Sequence, residues 1–151
     1  MNILFVCTGN TCRSPMAEKI AAAAADNGRM VFASAGTFAY DGMPASKNAV
    51  AVLKEAGIDL SAHRSRRFDA RAAKWADIIF AMEAGHIAAM KSAAPGQTHK
   101  MHTLLGYAAG EKGIPSKPGY DVEDPYGGGI DVYRKVRDQI ANAIALIFIK
   151  A

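Results

Sequence analysis

The residues that could do chemistry lie close to the start of the chain. Cys7, Cys12 and Arg13 share one short run, Cys7-Thr-Gly-Asn-Thr-Cys-Arg13-Ser14. A thiol beside an arginine or a helix N-terminus can have its pKa lowered to between ~3.5 and ~7.5, which makes it a thiolate nucleophile near neutral pH. A guanidinium is a planar fork that grips two oxygens of an anion at once. Nucleophile and clamp together describe attack on a bound dianion. The plainer reading is a buried cysteine that packs as a small hydrophobe, and Gly9, Arg13 and Ser14 around Cys7 weigh against it.

Local elements must hold these groups. Ile3 to Val6 is an apolar run of strand length. Ser14, then Pro15 and an alanine-rich stretch, reads as a helix start with a hydroxyl at the cap and proline at the first helical position. A tight loop between such elements turns several backbone N–H groups, and the positive end of the helix dipole, toward one point. Gly9 lets backbone approach an anion closely. Asn10 and Ser14 would hold the loop's shape, with Ser14 donating to the thiolate.

This loop after an N-terminal strand, with Asp124-Pro125-Tyr126 late in the chain, resembles the low-molecular-weight protein tyrosine phosphatase family. The resemblance runs from Met1 to about Ile149. It implies a phosphate loop in which Thr8, Gly9, Asn10, Thr11, Cys12, Arg13 and Ser14 bind phosphate while Cys7 attacks phosphorus. The resulting phosphocysteine is then hydrolysed, which splits one hard step into two. It also implies four parallel strands in the order 2-1-3-4, and Ser34 and His63 bracing Asn10. His63 is matched across an apparent insertion at Ser61-Ala62.

A leaving group departs more easily when protonated, and the same carboxylate can later activate water. Asp121, Glu123 and Asp124 stand level for that role on sequence alone; the family's Asp-Pro pattern selects Asp124. Cys12 shares the loop with Cys7, so a reversible disulfide that spares Cys7 from over-oxidation is one reading and a buried small residue the other. Three positions depart from typical tyrosine phosphatases: Thr11 in place of Ile or Leu, Gly127-Gly128 after Tyr126, and Thr37-Phe38-Ala39 without a tryptophan. All three resemble the protein-arginine phosphatase branch. A hydroxyl at Thr11 and a carboxylate at Asp124 suit a guanidinium better than a benzene face, while Phe38 and Tyr126 on the rim can stack on either. Phosphoarginine is therefore the expected substrate and phosphotyrosine the alternative. An arsenate reductase would need cysteines beyond Cys12, a phosphopeptide-binding module would not need Cys7 and Asp124, and a redox dithiol would not need Asp124.

The rest of the chain alternates strands and helices. Helices are predicted at Ser14 to Asn27 (stopped by Gly28), from Pro44 to Gly57, over residues 69 to 76, from Glu83 to Ser92 and from Ile130 to Ile149. The last carries Ile130, Tyr133, Val136, Ile140, Ile144 and Ile147 as one apolar stripe. Strands are predicted at Met30 to Ser34, Asp77 to Ala81 and Met101 to Leu105, with a long glycine- and proline-rich loop over 106–129. Such alternation means an α/β fold with a parallel sheet, whose ligand sits beyond the C-terminal strand ends.

The 151 residues suit one domain, 1–151, able to bury roughly two-thirds of its unfolded surface. Residues Ala143 to Ile149 are too few to span a bilayer. Met1-Asn2 leads straight into a strand, leaving no room for a signal peptide, and two cysteines five positions apart make no secreted disulfide framework. The expected compartment is the cytoplasm. Arg64, Arg66, Arg67, Arg71 and Lys74 supply much of the net charge of +4. They read as a basic rim attracting anionic substrates or nucleic acid, or as a solvated loop and helix face, the reading preferred because no nucleic-acid motif accompanies them. His99 and His102, three apart in a strand, would face opposite sides, so no metal is expected. No cofactor is called for, the partners are phosphorylated proteins, and no oligomer is implied.

Overall fold

The computed structural model describes residues 1–25 and 28–150. Its elements in chain order are β1 (Asn2–Cys7), α1 (Arg13–Ala24), β2 (Val31–Gly36), α2 (Lys47–Glu55), α3 (Ala70–Trp75), β3 (Ile78–Ala81) and α4 (Ala84–Ala93). A 3-10 turn (Pro95–Lys100), β4 (Met101–Thr103), α5 (Leu104–Ala108) and α6 (Ile130–Lys150) follow. The four strands pair in parallel in the order β2-β1-β3-β4, as the resemblance implied.

β1 lies in the middle of the sheet, and its residues alternate between two cores, as the two-residue period of a strand requires. Ile3, Phe5 and Cys7 face a cluster built with Met16, Ile20, Leu53, Val136 and Ile140. Leu4 and Val6 face a second cluster with Phe68, Ala73, Ile79 and Met90. Cys7 is thus the last inward residue of a strand buried on both faces, with its thiol on the side covered by α1 and α6. The predicted stripe on α6 is confirmed: Tyr133, Val136, Ile140, Ile144 and Ile147 are buried, and Ile130 packs against the same cluster. Phe5 stacks with Phe32 and Phe80 at ring separations of 6.4 and 5.9 Å. Fully burying a side chain of that size contributes about 1.5–3 kcal/mol.

Several boundaries differ from expectation. α2 starts at Lys47, not Pro44, because Ser46 is the cap: its hydroxyl accepts from Ala49 N–H. β4 stops at Thr103, since Leu104 and Leu105 turn into α5, so the long loop begins after Ala108. α1 is helical to Ala24, where Ala25 N–H bonds Ala21 O; the predicted end at Asn27 lies outside the described residues. His99 belongs to the 3-10 turn, not to β4, and His102 Nδ1 accepts from Gly113 N–H at 2.8 Å. No helix among the described residues is long and apolar enough to cross a membrane.

Candidate active site

The carbonyls of the loop after β1 are tied outward. Cys7 O and Thr8 O accept from the N–H groups of Thr37 and Phe38, both at 2.9 Å, Thr11 O from Ser46 N–H at 2.9 Å, and Cys12 O from Met16 N–H at 3.2 Å. His63 Nε2 donates to Asn10 O at 2.7 Å. In a trans peptide a carbonyl and the following N–H point opposite ways, and no cis bond occurs among the described residues. The N–H groups of Thr8, Gly9, Thr11, Cys12 and Arg13 are therefore turned to the concave side. There lies a cleft of about 260 Å³, lined by Cys7, Thr8, Gly9, Thr11, Cys12, Arg13, Asp124 and Tyr126. Converging N–H dipoles at a helix N-terminus make such a hollow an anion site.

Asn10 holds the loop open. Its φ of 56° is left-handed, a conformation asparagine tolerates better than most residues. The buried amide uses both ends: Nδ2 donates to Ser14 Oγ at 2.8 Å and to Ser34 Oγ at 3.0 Å, while Oδ1 accepts from Arg66 N–H at 2.9 Å. Ser34 and His63 thus meet Asn10 as the resemblance implied. Glu18, missed by sequence reasoning, completes the brace by accepting from Ser34 Oγ at 3.0 Å and lying 4.0 Å from His63 Nδ1. Gly36 permits the close approach of β2: a Cβ there would sit 2.9 Å from Asn10 N and closer still to Thr8 O.

Cys7 Sγ lies 2.9 Å from Ser14 Oγ. Since Ser14 accepts from Asn10, its own hydrogen is available to Cys7 Sγ, which is nearer than Ala35 O at 3.3 Å. The expectation that Ser14 caps α1 is corrected. Cys12 occupies the cap position, with no bond from its side chain to the helix N–H groups, and Pro15 stands third in α1, not first. The buried Ser14 hydroxyl faces the Cys7 thiol and Asn10 instead. Gly9 is not demanded by the protein itself, where a Cβ would meet nothing closer than Thr11 Oγ1 at 3.7 Å; it borders the cleft.

Arg13 is only 2 % exposed, and its guanidinium is half committed. Nη1 donates to Glu83 Oε2 at 2.6 Å and to Val122 O at 2.9 Å, while Nη2 stands 3.7 Å from Asp124 Oδ2. A buried charge needs such partners. Holding Nη1 fixes the plane of the fork and leaves its other edge for the cleft. Glu83 heads α4, and nothing local to the motif announces it. His86, one helical turn on, was also missed. Its Nδ1 accepts from Glu83 N–H at 3.1 Å, so Nε2 carries the hydrogen and donates to Thr8 Oγ1 at 2.9 Å. Burial, and then the nearby Arg13 charge, push the His86 pKa below its ordinary value.

The three acids separate in space. Asp121 Oδ1 accepts from Ala84 N–H at 2.9 Å, and Glu123 pairs with Lys135 at 3.4 Å. Asp124 alone of the three lines the cleft. Val122 N–H bonds Met82 O at 2.8 Å, which docks this segment on the end of β3. Beyond it, Gly128 packs so closely that a Cβ would lie 3.0 Å from Pro125 O and 3.2 Å from Val132 Cβ. On the rim Tyr126 is 81 % exposed and Phe38 66 %, with Arg67 5.9 Å over the Phe38 ring. Both cysteines are free thiols. Cys12 Sγ lies 3.5 Å from Ser46 Oγ and 3.4 Å from Tyr133 Oη. Burial first, then the bond to Cys12, push the Tyr133 pKa up to about 12.

Residues 2–150 match the family model described as low molecular weight phosphotyrosine protein phosphatase. The chain belongs to that family. Relatives of this low molecular weight phosphatase carry two kinds of name. It is 42 % identical to a protein-arginine-phosphatase of Geobacillus stearothermophilus over 94 % of this chain and 90 % of that one. It is 35 % identical to a low molecular weight protein-tyrosine-phosphatase of Streptomyces coelicolor over 93 % and 87 %. Among solved structures it matches the arginine phosphatase YwlE, in a cysteine-to-serine mutant with a phosphorylated active-site serine. The TM-score is 0.90 at 35 % identity, covering 99 % of this chain and 95 % of that one.

Proposed function

We propose that this phosphatase removes phosphate from phosphoarginine in proteins, acting as one domain over residues 1–151. The observation that carries the reading is the cleft itself: a thiol beneath converging N–H groups, with Arg13 and Asp124 on its walls. The phosphoryl group sits in the loop of Thr8 to Ser14, gripped by the free edge of Arg13. Cys7 Sγ, as a thiolate held by the Ser14 hydroxyl, attacks phosphorus in line with the leaving nitrogen. Asp124 gives that nitrogen its proton as the P–N bond breaks, and arginine leaves as its guanidinium cation. The same carboxylate then takes a proton from water, which attacks the phosphocysteine, releases phosphate and restores Cys7. Loop N–H groups stabilise the charge on the equatorial oxygens throughout.

For arginine over tyrosine, support comes from Thr11, whose hydroxyl-bearing side chain stands in the cleft wall where a phenyl ring would want an apolar face. The name of the Geobacillus relative points the same way. Phosphotyrosine remains the competing substrate, favoured by the exposed rings of Phe38 and Tyr126. Two cysteines five positions apart make no secreted disulfide framework, which supports a reducing compartment, the cytoplasm. Rapid quenching with a phosphoarginine peptide, followed by mass spectrometry, tests the chemistry: a phosphoryl group is expected on Cys7. Phosphate release at full rate from a Cys7→Ser variant contradicts it.

A further inference from the structure

The cleft of about 260 Å³ accommodates a phosphorylated side chain and little else, so the flanking chain of a protein substrate must lie on the outer surface. One side of that surface is a second, larger groove of about 440 Å³, lined among others by Arg66, Arg67, Arg71 and Trp75. The two hollows have no lining residue in common, but one stretch of chain connects them. Phe38 N–H bonds the outward carbonyl of Thr8 in the phosphate loop, and Asp41, three residues on, lines the groove. Arg66 and Arg67 link them further, since Arg66 N–H donates to Asn10 Oδ1 and the Arg67 guanidinium lies over the Phe38 ring.

Among the described residues none of Arg66, Arg67 and Arg71 forms an ion pair. Two carboxylates do line the groove, but each is tied to backbone: Asp41 Oδ1 accepts from Arg67 N–H at 2.9 Å and Asp69 Oδ1 from Ala72 N–H at 2.8 Å. Arg66 Nε donates to Ser34 O at 3.0 Å, which pins its stem while its outer nitrogens remain. Guanidinium forks of this kind match carboxylates bidentately.

Taking the phosphatase reading above as given, we propose that this groove docks an acidic stretch of the substrate protein beside its phosphorylated residue. Three guanidinium groups and an indole face then select Asp- and Glu-rich neighbours, and speed their encounter with a chain of net charge +4.

Trp75 is the only tryptophan, so its fluorescence reports on the groove without reference to catalysis. An unphosphorylated Asp/Glu-rich peptide should shift that emission saturably, and a matched Ser/Gly peptide should not. In turnover, kcat/KM on a phosphoarginine peptide with acidic flanks should exceed that on a neutral-flanked one by roughly 3- to 10-fold at low salt, the yield of a few exposed charge pairs. The preference should vanish in about 0.5 M salt, where screening extends to a few ångströms, and in Arg71→Glu. Equal rates on both peptides, or a preference untouched by salt, overturn the proposal even if Arg71→Glu fails to fold. Failure on every phosphoarginine peptide with an intact Trp75 response would condemn the substrate reading and leave the groove standing.

Discussion

His86 ties the first turn of α4 to the phosphate loop: Nε2–H donates to Thr8 Oγ1 at 2.9 Å while Nδ1 accepts from Glu83 N–H at 3.1 Å. Only the neutral ring can do both, because protonation puts a hydrogen on Nδ1. The fold lowers the His86 pKa from the ordinary 6.5, chiefly by burial. The tie therefore contributes stability that is fully present above about pH 6.5 and is lost as pH falls through the depressed value. Arg13 opposes the proton, and Glu83, Asp121 and Asp124 favour it. The melting-temperature advantage of wild type over His86→Gln should shrink between about pH 7.5 and 5.5; an advantage that grows on acidification contradicts the tautomer.

Glu83 should matter through Arg13. Its Oε2 holds Nη1 at 2.6 Å, so Glu83→Ala lets the fork rotate and weakens inhibition by inorganic phosphate, with KM rising more than kcat falls. Loss of one charge-assisted bond, about 1.5–3 kcal/mol, corresponds to roughly 10- to 100-fold. Glu83→Gln should recover part of it. Unchanged phosphate inhibition in both variants would show that Val122 O alone orients the guanidinium.

Asp124→Asn should slow turnover by roughly 10²- to 10⁴-fold, the usual worth of a positioned acid, and by less on substrates with good leaving groups. Asp121→Asn and Glu123→Gln should cost little, since one is bonded to Ala84 N–H and the other paired with Lys135. Equal damage from all three would return the acid to open question.

Peroxide should convert the Cys7 thiolate to a sulfenic acid, which the Cys12 thiol attacks, expelling water and closing a disulfide that thiol reductants reopen. Mass spectrometry should find that bond in wild type, and irreversible loss in Cys12→Ala. Tyr133→Phe, which removes the hydroxyl 3.4 Å from Cys12 Sγ, should change the rate of closure without abolishing it. Sulfinic or sulfonic Cys7 as the sole wild-type product contradicts a protective Cys12.

How far these groups could be read from sequence depends on their reach. Cys7, Asn10, Arg13 and Ser14 were legible because a strand, a loop and a helix start occupy neighbouring positions. Ser34 and His63 needed the family pattern, and the acid was undecided among three until that pattern chose Asp124. Glu83, His86, Glu18 and Tyr133 were not legible. Glu83, His86 and Tyr133 reach the site from α4 and α6, distant in sequence, and Glu18 lies on α1 but acts only through Ser34 and His63. A 3.6-residue period marks such residues only as helical. The Ser14 hydroxyl misled for a different reason: α1 begins one residue earlier, at Arg13, and the hydroxyl bonds Cys7 and Asn10 of the same loop in place of a helix N–H.

Thr11 stands in the cleft wall with Oγ1 3.8 Å from Cys12 Sγ. A β-branched side chain holds few rotamers, so it defines the wall. Thr11→Ile removes a polar contact and adds an apolar face, each worth about 1–3 kcal/mol. The preference for phosphoarginine over phosphotyrosine should fall roughly 10- to 100-fold, with phosphotyrosine turnover kept or raised. An unaltered ratio would free Thr11 of any part in selection.

The most direct measurement is kcat/KM of the wild-type protein on two peptides of identical sequence, one carrying phosphoarginine and the other phosphotyrosine at the same position. A polar wall at Thr11 and a proton donor at Asp124 predict the higher value for phosphoarginine, by about 10-fold or more. A higher value for phosphotyrosine would contradict the assignment and make this chain a tyrosine phosphatase of the same family.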